Sequence, residues 1–231
     1  MPLNSVIQAA LCAAADSPAY HALPIAQARA LARQGYPNRK IPVPVGEVCN
    51  LNIPGPGGAL ALRIYRPSGP GLHPVIVFFH GSGFVILDLD SHDDICRRLC
   101  AGASCVVVSV DYRLAPEHKF PAAPDDCLAA TRWTASHAAE FGGDASRMAV
   151  AGDSAGACLA AVTAQRVRDE GEAFARRLSE GGVEAVTRRC ASMNHGFLKY
   201  AGVIDEADAA MAHACAWLKN VLRQGTGPLD A

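Results

Sequence analysis

Three runs of mainly apolar residues divide the middle of the chain. They are PVIVFFH at 74–80, CVVVSVDY at 105–112 and RMAVAGD at 147–153. Runs of this length and composition are typical of strands that are buried on both faces of a sheet. The segments between them, 91–102 and 124–139, are predicted to be helices. Strands that alternate with helices predict an α/β fold, with a mostly parallel sheet covered by helices on both faces.

Further elements are predicted before this alternation. Residues 1–35 have a helical pattern, which Pro18 and Pro24 divide into pieces. Two strands are expected near Gly46–Asn52 and Ala59–Tyr65, separated by the turn PGPGG.

The C-terminal part of the chain predicts two more elements. VEAVTRRC at 183–190 is expected to form a last strand, and residues 205–222 a closing amphipathic helix with Asp205 as its N-cap. The tail at 225–231 is expected to fray. A length of 231 residues fits a single domain, so we expect residues 1–231 to fold as one unit, with a core over 41–224.

Composition narrows the possible partners and location. The net charge is −1 with both signs dispersed, which argues against nucleic acid or an anionic membrane surface as a partner. The nine cysteines are odd in number and lack a CxxC spacing, so structural thiols in a reducing compartment are favoured over disulfides or a metal site. Since no apolar run approaches a membrane span and no basic start precedes the first helix, a cytoplasmic location is expected.

The pentapeptide Gly152-Asp153-Ser154-Ala155-Gly156 is the strongest chemical signal in the chain. It follows a predicted buried strand and precedes an alanine-rich helix. This context suits a nucleophile elbow, where glycines allow a tight turn that exposes the Ser154 hydroxyl. The alternative is that Ser154 only caps the helix, as serine often does.

A second turn favours the catalytic interpretation of Ser154. The segment His80-Gly81-Ser82-Gly83-Phe84 directly follows the buried strand at 74–80. Small residues in such a turn let backbone N–H groups point at a substrate oxygen and form an oxyanion hole. An ordinary glycine-rich turn is the alternative, but two such turns after two buried strands make coincidence a poor explanation.

A histidine is needed to activate a serine nucleophile, and His195 has the expected context. It lies in the loop Asn194-His195-Gly196-Phe197, after the last predicted strand and downstream of Ser154. The alternative is a surface histidine without a chemical role.

These motifs resemble those of the hormone-sensitive-lipase-like esterases, the microbial family IV of lipolytic α/β hydrolases. They are HGSGFV at 80–85, DYRLAPEHKFPAAPDD at 111–126, GDSAG at 152–156 and MNHGF at 193–197. The resemblance implies that Ser154 is the nucleophile and His195 the base. It also implies oxyanion donors at the backbone N–H groups of Ser82, Gly83 and Ala155, a partial helical cap over residues 1–40, and hydrolysis of short-chain carboxylic esters without cofactor or metal.

One part of the family pattern is missing. Members of the family carry two further strands after the nucleophile helix and a D-P-L-R-D-E-G motif whose first aspartate is the triad acid. Here Arg168-Asp169-Glu170-Gly171 matches only the tail of that motif, and Gln165 stands at the position of the acid. The sequence therefore predicts a sheet shortened by about two strands.

No other carboxylate clearly replaces the acid. On a continuous helix Asp169 would lie ~22 Å from Ser154, too far to orient a histidine beside it. Asp205 and Glu206 are better explained as the start of a helix. The preferred hypothesis is an esterase with impaired turnover, acting on a small-molecule ester. The alternative is a non-catalytic protein of the same fold that binds a small acyl ligand or a partner chain, and the open sheet edge could support a homodimer.

Overall fold

A computed structural model of the chain describes residues 3–36, 42–169, 190, 192–193 and 196–224, with the side chains of 165–169 and 223–224 outside the description. The described strands form one five-stranded sheet in the order β1-β2-β4-β3-β5. The strands are β1 (Glu47–Gly55), β2 (Gly58–Arg66), β3 (His73–Phe79), β4 (Val106–Val110) and β5 (Gly143–Gly152).

The sheet is mixed. Strand β1 pairs antiparallel with β2, and β2 pairs antiparallel with β4. Strand β3 pairs in parallel with both β4 and β5, so the expected parallel core of the sheet is confirmed for the three central apolar runs. In the described part of the chain, β5 pairs only with β3, and its other side is an edge of the sheet.

Helices cover both faces of the sheet. They are α1 (Ser5–Ala13), α2 (Ile25–Gln34), α3 (Asp93–Ala103), α4 (Ala122–His137), α5 (Ala155–Asp169) and α6 (Asp205–Gln224), with short 3₁₀ turns at Tyr20–Ala22, Ala138–Phe141 and Phe197–Tyr200. The predicted helices at 91–102, 124–139 and 205–222 are thus confirmed with small shifts of their ends.

Alternate residues of β3 pack into two separate hydrophobic cores. Val75, Val77 and Phe79 pack in one cluster with residues of α4 and α5. Ile76 and Phe78 pack in the other cluster with residues of α3 and α6. Because successive side chains of a strand point to opposite faces, a strand covered on both sides must be apolar throughout, as this run is.

The N-terminal helix α2 is attached to the loops that follow β3 and β4. The guanidinium of Arg29 donates hydrogen bonds to the carbonyl oxygens of Val85 at 2.8 Å and Ala115 at 3.0 Å. It also pairs with Glu117 at 2.7 Å. These contacts place α2 beside the loops that follow the C-terminal ends of β3 and β4.

Two predictions differ from the structure. Strand β5 begins at Gly143 rather than at Arg147, because its first residues pair with His73 and Pro74 beyond an irregularity in the register. Helix α6 begins at Asp205, so Asp205 is the first helical residue and not the predicted N-cap. The predicted strand at 183–190 and the tail at 225–231 lie outside the described elements.

No helix in the described part of the chain has the length and apolar content of a bilayer-spanning segment.

Candidate active site

Ser154 occupies the sharp turn between β5 and α5. Its φ is +53°, in the left-handed region that residues with a Cβ rarely adopt. Strain of this kind costs about 1–3 kcal/mol and persists where the surrounding structure enforces it. The backbone at Ser154 thus has the form of a nucleophile elbow, as the pentapeptide predicts.

The glycines on either side of the elbow allow two backbone segments to touch. A Cβ on Gly156 would overlap the carbonyl oxygen of Phe79 and lie 2.8 Å from that of His80. A Cβ on Gly152 would lie 2.6 Å from the Phe79 oxygen. The elbow therefore packs directly against the end of β3, which brings Ser154 to the turn that starts at His80.

That turn has the conformation its small residues suggest. Gly83 has φ +53° and Phe84 φ +64°, whereas Ser82 does not adopt a positive φ. Among the described residues, none accepts a hydrogen bond from the backbone N–H of Ser82, Gly83 or Ala155. Within the described part of the chain, these three N–H groups therefore have no acceptor.

The hydroxyl groups of Tyr112 and Ser82 hold the His80–Phe84 turn in place through hydrogen bonds. The Tyr112 hydroxyl donates to the carbonyl oxygen of His80 at 2.5 Å and lies 2.6 Å from Ser82 Oγ. Since Tyr112 has a single hydroxyl proton, Ser82 must be the donor in the second bond. Ser82 Oγ also accepts from the Phe84 N–H at 2.8 Å. The buried Ser82 side chain is therefore fully used in shaping the turn.

Asp153 links the same turn to the elbow. Its Oδ1 accepts from the Gly81 N–H at 2.7 Å and lies 3.2 Å from His92 Nε2. The His92 ring is fully buried, and its Nδ1 lies 2.9 Å from Ser91 Oγ. The residue directly before Ser154 thus holds the turn at Gly81 in register with the elbow.

Burial controls the charges around this network. Burial, and then the neighbouring His92, lower the pKa of His80 to about 4, so its ring is neutral at pH 7. Burial opposes ionisation of Asp153, but hydrogen bonds from His92 and the Gly81 N–H outweigh it and lower the pKa of this carboxyl. Burial raises the pKa of Tyr112, which keeps its hydroxyl protonated as the hydrogen-bond chain requires.

A small cavity of about 120 Å³ opens beside Ser154. Its lining includes Asp153 and Ser154 together with Tyr36, Phe197 and Lys199. The loop of the proposed base therefore continues into the wall of this cavity, since Gly196 and Phe197 directly follow His195.

A second, larger cavity of about 340 Å³ lies along α5. Cys158 and Val162, one and two turns after Ser154, line it together with Leu159, Phe84 and Phe120. Its wall is mostly apolar, so it can accept a hydrocarbon group.

The structure brings together four of the five predicted site residues. Ser154 and Ala155 lie at the elbow, and Ser82 and Gly83 lie in the turn that packs against it. The fifth, His195, lies outside the described residues. The three residues that sequence reasoning missed are Asp153, His92 and Tyr112. Asp153 and Tyr112 stand inside quoted motifs, but their partners are distant in sequence.

Three other carboxylates, those of Asp169, Asp205 and Glu206, could replace the triad acid, and two of them are described. The side chain of Asp169 lies outside the described residues. Asp205 and Glu206 are exposed in the first turn of α6, where Glu206 accepts a hydrogen bond from Asn4 at 3.4 Å. Within the described ranges, no group of three or more His, Cys, Asp or Glu residues could hold a metal ion.

Comparisons with known proteins agree with this geometry. Residues 76–172 match a family model described as alpha/beta hydrolase fold. Esterase LipI of Mycobacterium tuberculosis is 55% identical over 127 residues, which are 54% of this chain and 40% of LipI. Carboxylic ester hydrolase LipN of the same organism is 52% identical over 125 residues, 54% of this chain and 33% of LipN. The matched segment thus spans less than half the length of these relatives.

Solved structures give a broader match. A hyperthermophilic esterase from Pyrobaculum calidifontis superposes with a TM-score of 0.81 at 27% identity, covering 95% of this chain and 99% of the esterase. An ester hydrolase from the metagenome of Lake Arreo superposes with the same TM-score of 0.81 at 29% identity, covering 95% and 99% of the two chains. The fold is therefore that of the α/β hydrolases.

Proposed function

We propose that this chain, which has the α/β-hydrolase fold and belongs with the hormone-sensitive-lipase-like esterases, is a serine hydrolase of short-chain carboxylic esters. The proposal rests on the backbone of Ser154. It adopts a left-handed conformation in a tight turn that packs against the His80–Phe84 turn. The named esterases among its relatives support the same reaction class.

The reaction would proceed through an acyl-enzyme. Ser154 Oγ attacks the ester carbonyl carbon while its proton passes to His195. The carbonyl oxygen becomes an oxyanion, which the N–H groups of Ser82, Gly83 and Ala155 stabilise. His195 then gives the proton to the departing alcohol, and water repeats the sequence to release the acid.

The size of the cavity beside Ser154 favours a short chain on the substrate. At about 120 Å³ it is smaller than the range of roughly 300–1,000 Å³ that is typical of sites for drug-sized ligands.

The proposed enzyme would turn over slowly. Gln165 stands where the family has its triad acid, and a histidine without that carboxylate loses both orientation and stabilisation of its charged form. In serine proteases the loss of the aspartate lowers kcat by about 10⁴. Acceleration from the oxyanion donors would remain.

Labelling with a fluorophosphonate probe tests the nucleophile without requiring turnover. We expect modification of Ser154, located by peptide mass spectrometry, and no labelling of Ser154→Ala. Ser104→Ala is a matched control, because Ser104 also has φ +53° but lies at the C-terminus of α3. A folded wild-type chain that stays unlabelled would instead support the non-catalytic binding protein.

Two further expectations concern the cellular location and the oligomeric state. The nine cysteines are all unpaired, as suits a cytoplasmic protein. The side of β5 that has no partner among the described strands is the edge through which a homodimer would form. Size-exclusion chromatography with light scattering would test the dimer, and a monomeric mass at all concentrations would contradict it.

A further inference from the structure

Lys199 is a half-buried cation on the wall of the cavity that contains Ser154. It lies in the 3₁₀ turn Phe197–Tyr200, directly after the loop of the proposed base. It also lines a third cavity, of about 720 Å³, which residues of α1 and α2 border. Lys199 therefore stands where the space beside the nucleophile meets the space bordered by α1 and α2.

Among the described residues, no carboxylate balances the charge of Lys199. Its Nζ lies 5.0 Å from the ring centroid of Tyr36 and 5.2 Å from that of Tyr200. Within residues 3–36, 42–164 and 196–222, no carboxylate lies within ion-pair distance of this Nζ. The arginines of helix α2 differ, because Arg29 pairs with Glu117 and Arg33 with Asp88.

The surroundings of Lys199 replace only part of the hydration that its ammonium group loses on burial. Burial lowers the pKa of Lys199, since the charged form loses hydration. Cation–π contacts recover only part of that loss. An ammonium group in this state gains more from an incoming anion than a fully hydrated one does.

We propose that Lys199 binds a carboxylate of the substrate, so that the preferred ester is a monoester of a short dicarboxylic acid. This inference rests on the proposed esterase function and names the class of its substrate. The ester carbonyl would lie at Ser154, and the free carboxylate of the acyl part would lie against the Lys199 ammonium across the same cavity. The product would be a dicarboxylate.

Asp153 is the other charged residue among the described residues that line this cavity, and its carboxylate would repel an anionic substrate. Its Oδ1 accepts from the Gly81 N–H at 2.7 Å and lies 3.2 Å from His92 Nε2, so the carboxylate is held in place beside Ser154. Removal of the Lys199 charge should therefore leave a site that discriminates against anionic esters.

The test compares two substrates of matched length. These are the mono-4-nitrophenyl ester of glutaric acid and the same ester with its free carboxyl methylated, each corrected for its enzyme-free rate. We expect Lys199→Met to lower the ratio of kcat/KM for the charged over the neutral ester by about tenfold or more, as for loss of a charged hydrogen bond. Lys199→Arg should retain most of the ratio. An unchanged ratio in Lys199→Met would overturn the proposal.

A binding measurement separates this proposal from the proposed activity. Glutarate should raise the Tm of the wild type and of Lys199→Arg, but raise that of Lys199→Met less. Absence of turnover with this pattern of Tm shifts would refute the esterase function and retain the carboxylate site. Turnover of the neutral ester with equal Tm shifts in all three proteins would refute the carboxylate site alone.

Discussion

Asp153 Oδ1 lies 2.7 Å from the backbone nitrogen of Gly81, so the residue before the proposed nucleophile holds the turn that carries the proposed oxyanion donors. The two residues are far apart in sequence but adjacent at the ends of β5 and β3. A Cβ on Gly81 would collide with the Asp153 carboxylate, so this approach also requires glycine. The elbow and the His80–Phe84 turn are therefore one structural unit.

Asp153→Asn tests this unit. The amide can still accept from Gly81, but it loses the charge that faces His92, and small displacements of a catalytic group are costly. We expect kcat to fall about tenfold to hundredfold, with a smaller change in KM. Asp144→Asn is the control, because Asp144 accepts from Ser146 and Arg147 at the other end of β5. Equal effects of the two substitutions on kcat would contradict the coupling.

Tyr112→Phe should lower both stability and turnover. It leaves the buried Ser82 hydroxyl and the His80 carbonyl without their partner, which costs about 1–3 kcal/mol. Tyr65→Phe is the matched control, since it removes a hydrogen bond to Asp93 from another buried tyrosine. Urea denaturation should show a loss in both variants, whereas p-nitrophenyl acetate hydrolysis should fall only in Tyr112→Phe. A fall of the same size in Tyr65→Phe would show that the effect is not local.

Gly156→Ala should disrupt the elbow itself. Its Cβ would overlap the Phe79 carbonyl oxygen, a backbone atom that cannot move without displacing β3. We expect a loss of about 3 kcal/mol or more in the free energy of unfolding. In Gly35→Ala the new Cβ meets only the Ala32 carbonyl at 3.4 Å, and φ is −74°, so stability should change by no more than about 1 kcal/mol. Similar losses in both variants would contradict the close packing at the elbow.

The buried His80 ring predicts a dependence of stability on pH. Its folded pKa of about 4 is below the unfolded value of 6.5, so the unfolded chain binds more protons between these values. The contribution of the neutral His80 ring to the free energy of unfolding is present in full above pH 6.5. It is lost as the pH falls to about 4, which lowers the free energy of unfolding by about 3 kcal/mol.

His80→Phe should flatten that decrease, because phenylalanine can keep the stacking on Tyr112 but cannot be protonated. Urea denaturation of both proteins at several pH values between 4 and 7 gives the comparison. A variant whose stability falls as steeply as that of the wild type would assign the effect to other groups.

The sequence predicted the elements that local pattern determines. The apolar runs that became β3, β4 and β5 were identified because strands covered on both faces must be apolar throughout. Ser154 was identified because its glycine neighbours are required by a turn of fixed geometry. The start of β5 at Gly143 was missed, since it depends on pairing with His73 and Pro74 rather than on hydrophobicity.

The tertiary links within the site could not be predicted. His92 gives no local signal of its role, because its ring meets Asp153 only after β3 and β5 have paired. Lys199 resembles any surface lysine in sequence. Only the fold reveals that it borders the same cavity as Ser154 and that no carboxylate among the described residues pairs with it. For Gln165 the signal comes from the sequence and not from the fold. Comparison with the family motif predicts that the triad acid is missing at this position, and this stays a prediction.

The predicted impairment can be measured against an intact relative. If Gln165 replaces the triad acid as predicted, kcat for p-nitrophenyl acetate should be lower by about 10³–10⁴ than that of a complete family member. A comparable kcat would show that another carboxylate supports the base, and Asp169→Asn, Asp205→Asn and Glu206→Gln would then identify it.

The central claim is that Ser154 is acylated during ester hydrolysis. The most direct measurement is the rate of p-nitrophenyl acetate hydrolysis above the enzyme-free rate, with intact-protein mass spectrometry after rapid acid quench. Wild type and Ser104→Ala should release nitrophenolate and carry one acetyl group, and Ser154→Ala should do neither. Undiminished hydrolysis by a folded Ser154→Ala protein would contradict the account.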